Sequence, residues 1–360
     1  MRPGPLDGIR VVEIAGLGPT PFAAMTLADM GADVIRIDRP GAGHIFGLRN
    51  DILNRGRPCL RLDLKAPDGL AVARRLIARA DVVIEGMRPG VMERLGLGPG
   101  DFPDHPRLVY GRMTGWGQSG PLAQAAGHDI TYLALTGALH GIGPEGRPVP
   151  PLNLLGDFGG GGIYLAFGIV AALFAAARTG RGQVVDAAIT DGVAHLSAMI
   201  HAMRNEGQWQ DRREANILDG AAPFYTCYAC ACGGHLAVGA IEPKFWQALL
   251  AGLGLDPAAL PDRDDPANWP ALRDRLAAVI AGQGRDHWAA VFAGTDACAV
   301  PVLTLDEATR HPHNLARGTF VAGPEGPEPA PAPRLSETPG QAGEQLAGIT
   351  ADEALSRWGA

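Results

Sequence analysis

Two short segments of this 360-residue chain carry the residues best suited to moving protons. Residues 127–132 read GHDITY, and residues 153–162 read NLLGDFGGGG. The first sets an imidazole, His128, beside a carboxylate, Asp129; the second sets Asp157 two residues before four consecutive glycines. An imidazole and a carboxylate brought from separate segments can form one acid–base site, because both groups exchange protons near neutral pH once their surroundings tune them. Each also has a plainer account: His128 as a buried structural histidine, Asp157 as the N-cap of the apolar helix that follows. The glycines add a second clue. Four at a helix start cost backbone entropy, and the compensation is close approach by a ligand or by another backbone. An acid beside bare helix-start amides can bind an anion or receive a developing oxyanion.

Other motifs point to chemistry less well. GLGPTP (16–21), with Asp38 ending the next strand pattern, imitates a dinucleotide fingerprint. Gly16 and Gly18 fit its first two glycines and Asp38 its ribose-binding acid, but Pro21 replaces the third glycine and forbids the same helix packing. That departure counts against NAD, and no cofactor is expected. Cys227, Cys230, Cys232 and His235 suggest zinc, yet strand alternation turns Cys227 away from Cys230 and Cys232, and no second ligand pair has the usual spacing. Packing of the three thiols within a hairpin accounts for them, and no metal is expected. GWGQSG (115–120) has Gln118 where a nucleophile elbow has serine, so no serine triad follows.

Stepping outward, the elements that must position these residues alternate. GIRVVEIAG (8–16) reads as a buried strand, FAAMTLADMG (22–31) as a helix closed by glycine, and ADVIRID (32–38) as the next strand. PCLRLDL, PDGLAVARRLIARA and DVVIEG repeat the order, PRLVYGRM (106–113) adds a strand, and QVVDAAITDG another before a helical run at 190–206. Such alternation implies a parallel sheet with helices on both faces, binding ligands beyond the carboxyl ends of its strands. The loops at 15–21, 39–44, 63–65, 86–90 and 114–120 lie there. From about residue 224 the pattern changes to a hairpin with a Gly-Gly turn, a helix from Pro243 and further amphipathic helices. Residues 322–340 form a proline-rich arm and 350–358 a last helix. The fold class is therefore α/β: a large Rossmann-like parallel-sheet domain plus a smaller α+β domain. The large domain covers 1–190 and is completed by about 325–360; 191–223 is a linker, 224–310 the small domain and 311–324 the return linker.

Composition narrows the partners. A hydrophobic content of 46% with 19% charged residues is that of a folded chain, and the net charge of −7 gives no basic field for nucleic acid or anionic membranes. A small anionic ligand needs a local basic cluster, and Arg39, Lys65, Arg88 and Arg94 fall at or near the strand-end loops. Lys65 and Lys244 are the only lysines, so 29 of the 31 cationic residues are arginines. Five cysteines without a disulfide-like pattern point to a reducing compartment, read here as the cytoplasm, and the opening MRPGPLDGIRVVEI lacks the regions of a signal peptide. Phe158 to Ala177 carries no charge over twenty residues, the length of a membrane span, but its five glycines lower its hydrophobicity and no second span accompanies it. It is read as a buried helix, with no membrane span.

Taken together, DRPG (38–41), LDLK (62–65), EGMRPGVMERLGLG (85–98), MTGWGQSGP (113–121), AGHDITYLALTG (126–137), NLLGDFGGG (153–161), GQVVDAAITDG (182–192) and VGAIEPKFW (238–246) resemble the α-methylacyl-CoA racemases of the class III CoA-transferase superfamily. The resemblance covers nearly the whole chain. EGMRPG departs slightly, since an aromatic residue is common before its arginine. The resemblance implies interlocked homodimers with active sites built from both subunits, and a 2-methyl-branched acyl-CoA as substrate, CoA being part of the substrate. It assigns His128 and Asp157 as the two bases that exchange the α-proton through an enolate. Glu242 orients His128, and the Asp129 backbone amide is the donor to the enolate oxygen. Arg39, Leu62, Asp63, Leu64, Lys65, Gly86, Met87, Arg88, Arg94, Gly127, Ile130, Thr131 and Tyr132 fall on its CoA- and substrate-binding motifs. Met199 and Met203, one helical turn apart, are read as core in preference to acyl lining. The alternative chemistry is CoA transfer between carboxylates, with Asp157 as nucleophile.

Overall fold

The computed structural model describes residues 4–43, 46–48 and 50–360, so His44, at the end of the 39–44 loop, lies outside the described residues. The chain divides into two compact units. Met1–Ala138, Pro151–Ala198 and His313–Ala360 form the first, and Leu139–Pro150 with Met199–Pro312 the second.

The first unit is built on a seven-stranded parallel sheet. Its strands are β1 (Arg10–Ile14), β2 (Asp33–Asp38), β3 (Cys59–Arg61), β4 (Val82–Glu85), β5 (Val109–Thr114), β6 (Val184–Ala188) and a terminal strand, Gly348–Ile349. They lie in the order terminal strand, β3, β2, β1, β4, β5, β6. The chain thus walks outward from β1 through β3, then returns to the far side of β1 for β4, and the strand order reverses between β1 and β4. In β1 and β4 every residue but Arg10 is buried, as a strand covered on both faces requires.

Local chemistry sets the helix ends. Helix α1 (Pro19–Asp29) and α2 (Pro67–Ile77) each begin on a proline, whose fixed φ suits a first helical position and whose missing N–H costs nothing there. In α2 Asp68 sits in the first turn and Arg74 and Arg75 in the last, each matched to the helix dipole. α1 starts three residues earlier than the sequence pattern suggests, because both prolines of GLGPTP fall inside its first turn.

Two ion pairs are shut inside this unit. Glu13 on β1 and Arg57 are fully buried and meet through Nε and Oε2 at 2.9 Å. Arg55, also buried, grips Asp29 at the end of α1 at 2.5 Å and donates to the Pro329 carbonyl at 2.7 Å, which ties the proline-rich arm to the sheet domain. That arm is not simply extended: Phe320–Ala322 and Pro327–Pro329 pair as an antiparallel hairpin. The terminal strand then docks beside β3, Gly348 opposite Cys59, and the last helix, Ala351–Trp358, follows.

A long helix spans Leu152–Thr179, long and apolar enough to cross a membrane, with 44% of its most apolar window buried inside the protein. Leu165 and Ile169 on its inner face lie 3.0 Å from where a Cβ on Gly111 of β5 would stand, so the helix packs directly on the sheet. Ile163, Phe167, Val170 and Phe174 form a stripe along its outer face and are exposed.

In the second unit β7 (Tyr225–Ala229), β8 (His235–Gly239) and β9 (Ala299–Pro301) form an antiparallel sheet. It buries Phe224, Leu236 and Val238 in one core with Trp246, Leu249, Leu272 and Trp288 of the helices. The β7–β8 turn closes through a Gly233 N–H to Cys230 carbonyl bond of 3.0 Å, with Gly233 at φ +80°, as the Gly-Gly signal predicts. Only Cys230 of the three hairpin thiols packs inward; Cys227 and Cys232 are exposed, and all five cysteines are unpaired. Met199 is exposed too, correcting its assignment to the core, because the helix that carries it, Ala198–Asn205, buries no residue.

Removing one member of a buried ion pair leaves the other charge uncompensated, at a cost of about 3–5 kcal/mol. Arg57→Met is expected to lower stability by that amount, measured by chemical denaturation, and pairing it with Glu13→Leu is expected to restore most of the loss. A single variant as stable as the parent would contradict the pairing.

Candidate active site

The site grows from the end of β1. Here Gly18 adopts φ +61° as the cap of α1, a conformation that favours glycine. A Cβ on Gly18 would stand 2.8 Å from Asp157 Oδ2, so the Asp157 carboxylate lies against this bare backbone. On the neighbouring strand end, a Cβ on Gly86 would stand 2.6 Å from Thr20 Oγ1, so the turns after β1 and β4 also touch. Asp157 therefore sits at the crevice where the strand order reverses, the place such sheets bind ligands.

The segment that delivers Asp157 is unusual. Leu155–Ile163 forms a π-helix, whose wide turns are rare and gather at functional sites, and it leads directly into the α-helix Tyr164–Thr179. Asp157 is its third residue and Leu154 its cap, so the plainer account of Asp157 as a helix N-cap does not hold. The glycines serve backbone contact. The Gly160 carbonyl presses on Gly192 in the helix Ile189–Leu196, and a Cβ on Gly162 would lie 2.7 Å from Phe22 and 3.0 Å from the Pro19 carbonyl. No side chain larger than hydrogen fits, and Phe158 stacks on Phe22 beside them with ring centroids 4.5 Å apart.

The second half of the site is the start of the helix Asp129–Leu135. His128 caps it in extended conformation, and Thr131 Oγ1 locks that cap by accepting from the His128 N–H at 3.0 Å and donating to the His128 carbonyl at 2.7 Å. The imidazole is left exposed. Asp129 Oδ1 reaches across to accept the Asp157 backbone N–H at 2.7 Å. This carboxylate thereby satisfies one amide that a helix start leaves orphaned. A Cβ on Gly156 would collide with it. Tyr132 lays its ring over Gly115 and Gly127 and meets Trp116 edge-on at 4.7 Å.

Electrostatics follow from this packing. Burial and then the Asp129 charge push the Asp157 carboxyl up to about 6, against the opposing effects of an Asn153 hydrogen bond and the nearby His128. Burial also raises the Asp129 carboxyl, although the Asp157 and Gly156 amides oppose it. The Tyr132 hydroxyl is raised by burial and by both acids, and stays protonated. A carboxyl that titrates near neutrality beside an imidazole can both accept and return a proton, which general acid–base chemistry demands.

Of the residues singled out from sequence, His128, Asp129, Thr131, Tyr132 and Asp157 come together, and Gly127 and exposed Ile130 flank them. Arg39, Lys65 and Arg88 follow β2, β3 and β4, Arg94 ends the short helix Val91–Arg94, and all four are exposed. Asp63 braces this rim by accepting the Lys65 N–H at 2.9 Å. Leu62 is buried, with Leu64 and Met87 packed on the same core, so these three support the rim from beneath. Gly86 offers bare backbone at the crevice. Glu242 belongs to the second unit, exposed at the start of the helix Pro243–Leu253 with its carboxylate not engaged in capping. Asp38 is drawn into an ion pair with Arg36 at 2.9 Å and accepts the Arg39 N–H, so the acid of the imitated fingerprint has structural partners. Among the described residues no cluster of three or more His, Cys, Asp or Glu side chains could hold a metal. Asn153 and Gly156 were given no role by the sequence reading, and Gly18 was read only as a fingerprint glycine, not as the backbone against which Asp157 lies. Asn153 alone left a signal, standing four residues before Asp157.

The profile of CoA-transferase family III matches residues 6–346. The α-methylacyl-CoA racemase of Mus musculus is 50% identical over 337 residues, and that of Homo sapiens 49% over 339, each alignment covering 93% of this chain and 87% of the relative. Among solved structures, a CAIB/BAIF family protein from Brucella suis superposes with a TM-score of 0.82 at 26% identity, over 99% of both chains.

The raised Asp157 carboxyl has a stability consequence. The folded state holds this proton to about pH 6 while an unfolded chain releases it near 3.8, the ordinary value for aspartate, so folding is progressively penalised as pH rises between the two. Asp157→Asn removes the penalty. Its melting temperature is expected to exceed the parent's at pH 8 by roughly 2–4 °C, and by less at pH 4, in scanning calorimetry. An equal difference at both pH values would contradict the raised carboxyl.

Proposed function

The chain belongs to CoA-transferase family III, and from that premise we propose that it is a racemase, interconverting the (2R) and (2S) forms of 2-methyl-branched acyl-CoA thioesters by 1,1-proton transfer. The observation that carries the reading is an Asp157 carboxyl poised near neutrality within reach of the His128 charge.

The thioester α-proton is weakly acidic, so its removal needs a base on one face, an acid on the other and stabilisation of the enolate oxygen between them. In one direction neutral His128 takes the proton and protonated Asp157 returns one to the opposite face; in the other direction the roles exchange. Both active forms hold a single proton between the two groups, so their titrations are coupled. The Asp129 N–H, first amide of its helix and without a helical acceptor, is the donor to the enolate oxygen, a contribution of about 3 kcal/mol in comparable sites. Glu242 is the residue that the family resemblance assigns to orient His128. The exposed cations Arg39, Lys65, Arg88 and Arg94 meet the phosphates of CoA at the strand ends. No cofactor enters this scheme, and five free thiols fit a reducing cytoplasmic setting.

We also propose a homodimer in which a second copy covers the stripe Ile163, Phe167, Val170 and Phe174. Their spacing of four, three and four residues aligns them on one helix face, and such a contiguous apolar surface marks an interface.

Incubating one enantiomer of a 2-methylacyl-CoA in D₂O without acceptor acid is expected to put deuterium on the α-carbon and erase optical purity, read by NMR and chiral analysis. His128→Ala is expected to slow this by roughly 10²–10⁴-fold. Retention of the α-proton, with CoA moving onto an added carboxylate, would instead identify a transferase acting through Asp157. In light scattering, Phe167→Glu combined with Phe174→Glu is expected to shift the particle toward monomer, and a monomeric parent would refute the interface.

A further inference from the structure

In the scheme above Asp129 works through its peptide N–H, which leaves its side chain without a task. That side chain is nevertheless committed: Oδ1 holds the Asp157 backbone N–H at 2.7 Å, in a space that only glycine at position 156 leaves open. We propose that the Asp129 carboxylate is a positioning residue that fixes the spacing of the two proton-transfer groups, gripping the chain that carries Asp157 while the adjoining residue carries the imidazole. This deepens the racemase reading and rests on it.

The linkage is short. Thr131 locks the His128 backbone at both its N–H and its carbonyl, Asp129 follows in the first helical position, and its carboxylate reaches the Asp157 main chain directly. One residue therefore joins the two segments that the sequence separates by 28 positions. Two groups serving opposite faces of one carbon tolerate little drift, since misplacement by about 1 Å costs about 10²-fold in rate. Backbone packing fixes the depth of the π-helical turn, and it is the Asp129 carboxylate that ties the turn to the His128 segment, accepting from the Asp157 and Gly156 amides.

The grip also acts through charge. The groups facing Asp157 are Asp129, His128 and Tyr132 from one segment and Asn153 from its own, while the turn after β1 brings only the Gly18 backbone. Of these Asp129 alone adds a negative charge that resists ionisation of Asp157. A carboxylate and an amide at position 129 therefore separate the two effects, because an amide oxygen still accepts the N–H but carries no charge.

The test compares the parent with Asp129→Asn and Asp129→Ala by hydrogen–deuterium exchange of the peptide containing Asp157, without substrate, and by the pH dependence of α-deuterium incorporation. Asp129→Ala is expected to lose protection at Asp157 and about 10²-fold in kcat, with KM changed less than about threefold. Asp129→Asn is expected to keep the protection, to lose less than about tenfold in kcat, and to move the acid limb of the profile to lower pH, since removing a like charge lowers the Asp157 carboxyl. An alanine variant with parental protection or kcat within about threefold of the parent would overturn the proposal, as would an amide variant whose acid limb stays in place. The exchange measurement needs no turnover. A parent enzyme that never exchanges an α-proton would sink the racemase reading while the loss of protection still reports on the grip, and recovery of protection in the amide variant excludes simple misfolding of the alanine variant.

Discussion

The constraint on which the first unit depends is the approach of three backbones near the end of β1. The π-helical turn at Leu155–Ile163 is pressed between the helix Ile189–Leu196 and the start of α1, with Gly160 against Gly192 and Gly162 against Pro19 and Phe22. Interiors pack to near-crystalline density, so a single added methyl here must displace main chain. Because the turn sits this deep, Asp157, two residues before the glycines, emerges at the crevice between β1 and β4. The carboxylate is delivered to the switch point by a packing requirement, and the entropy lost by four glycines is the cost of that delivery.

The same economy governs the buried charges. Glu13 and Arg57 satisfy one another inside the sheet domain, but Glu13 Oε1 and Arg57 Nη1 have no hydrogen-bond partner. Arg55 is used more fully, holding Asp29 and the Pro329 carbonyl together. Burial pulls the Asp29 carboxyl upward and the arginine opposes it. The pair thereby acts as a clasp between residues 300 positions apart in sequence, which is why an arm rich in proline folds back to place its terminal strand beside β3.

How much of this was legible in the sequence depends on the range of the interaction responsible. Alternating strands and helices wrote a parallel sheet into local periodicity, and a Gly-Gly turn announced the β7–β8 hairpin. His128 and Asp157 stood out by residue type. The plainer account of Asp157 as a helix cap was open because sequence cannot distinguish an α-helical start from a π-helical one, a difference imposed by the neighbouring helices. The two-residue terminal strand has no periodicity to detect and exists only because β3 offers an edge. The tasks of Gly18 and Gly156 were unreadable for a related reason: each meets a carboxylate from a distant segment, Asp157 for one and Asp129 for the other.

Two acids so close together would be an error in a design that sought only stability. Asp129 and Asp157 repel one another, and each is raised by burial as well. The arrangement is sustained because the main chain absorbs one of the two: Asp129 takes the Asp157 and Gly156 amides as partners, so its charge is met by N–H dipoles, while Asp157 finds less compensation and titrates near 6. Two chemically identical carboxyls thus meet different surroundings, one answered by main-chain amides and the other pushed up to about 6.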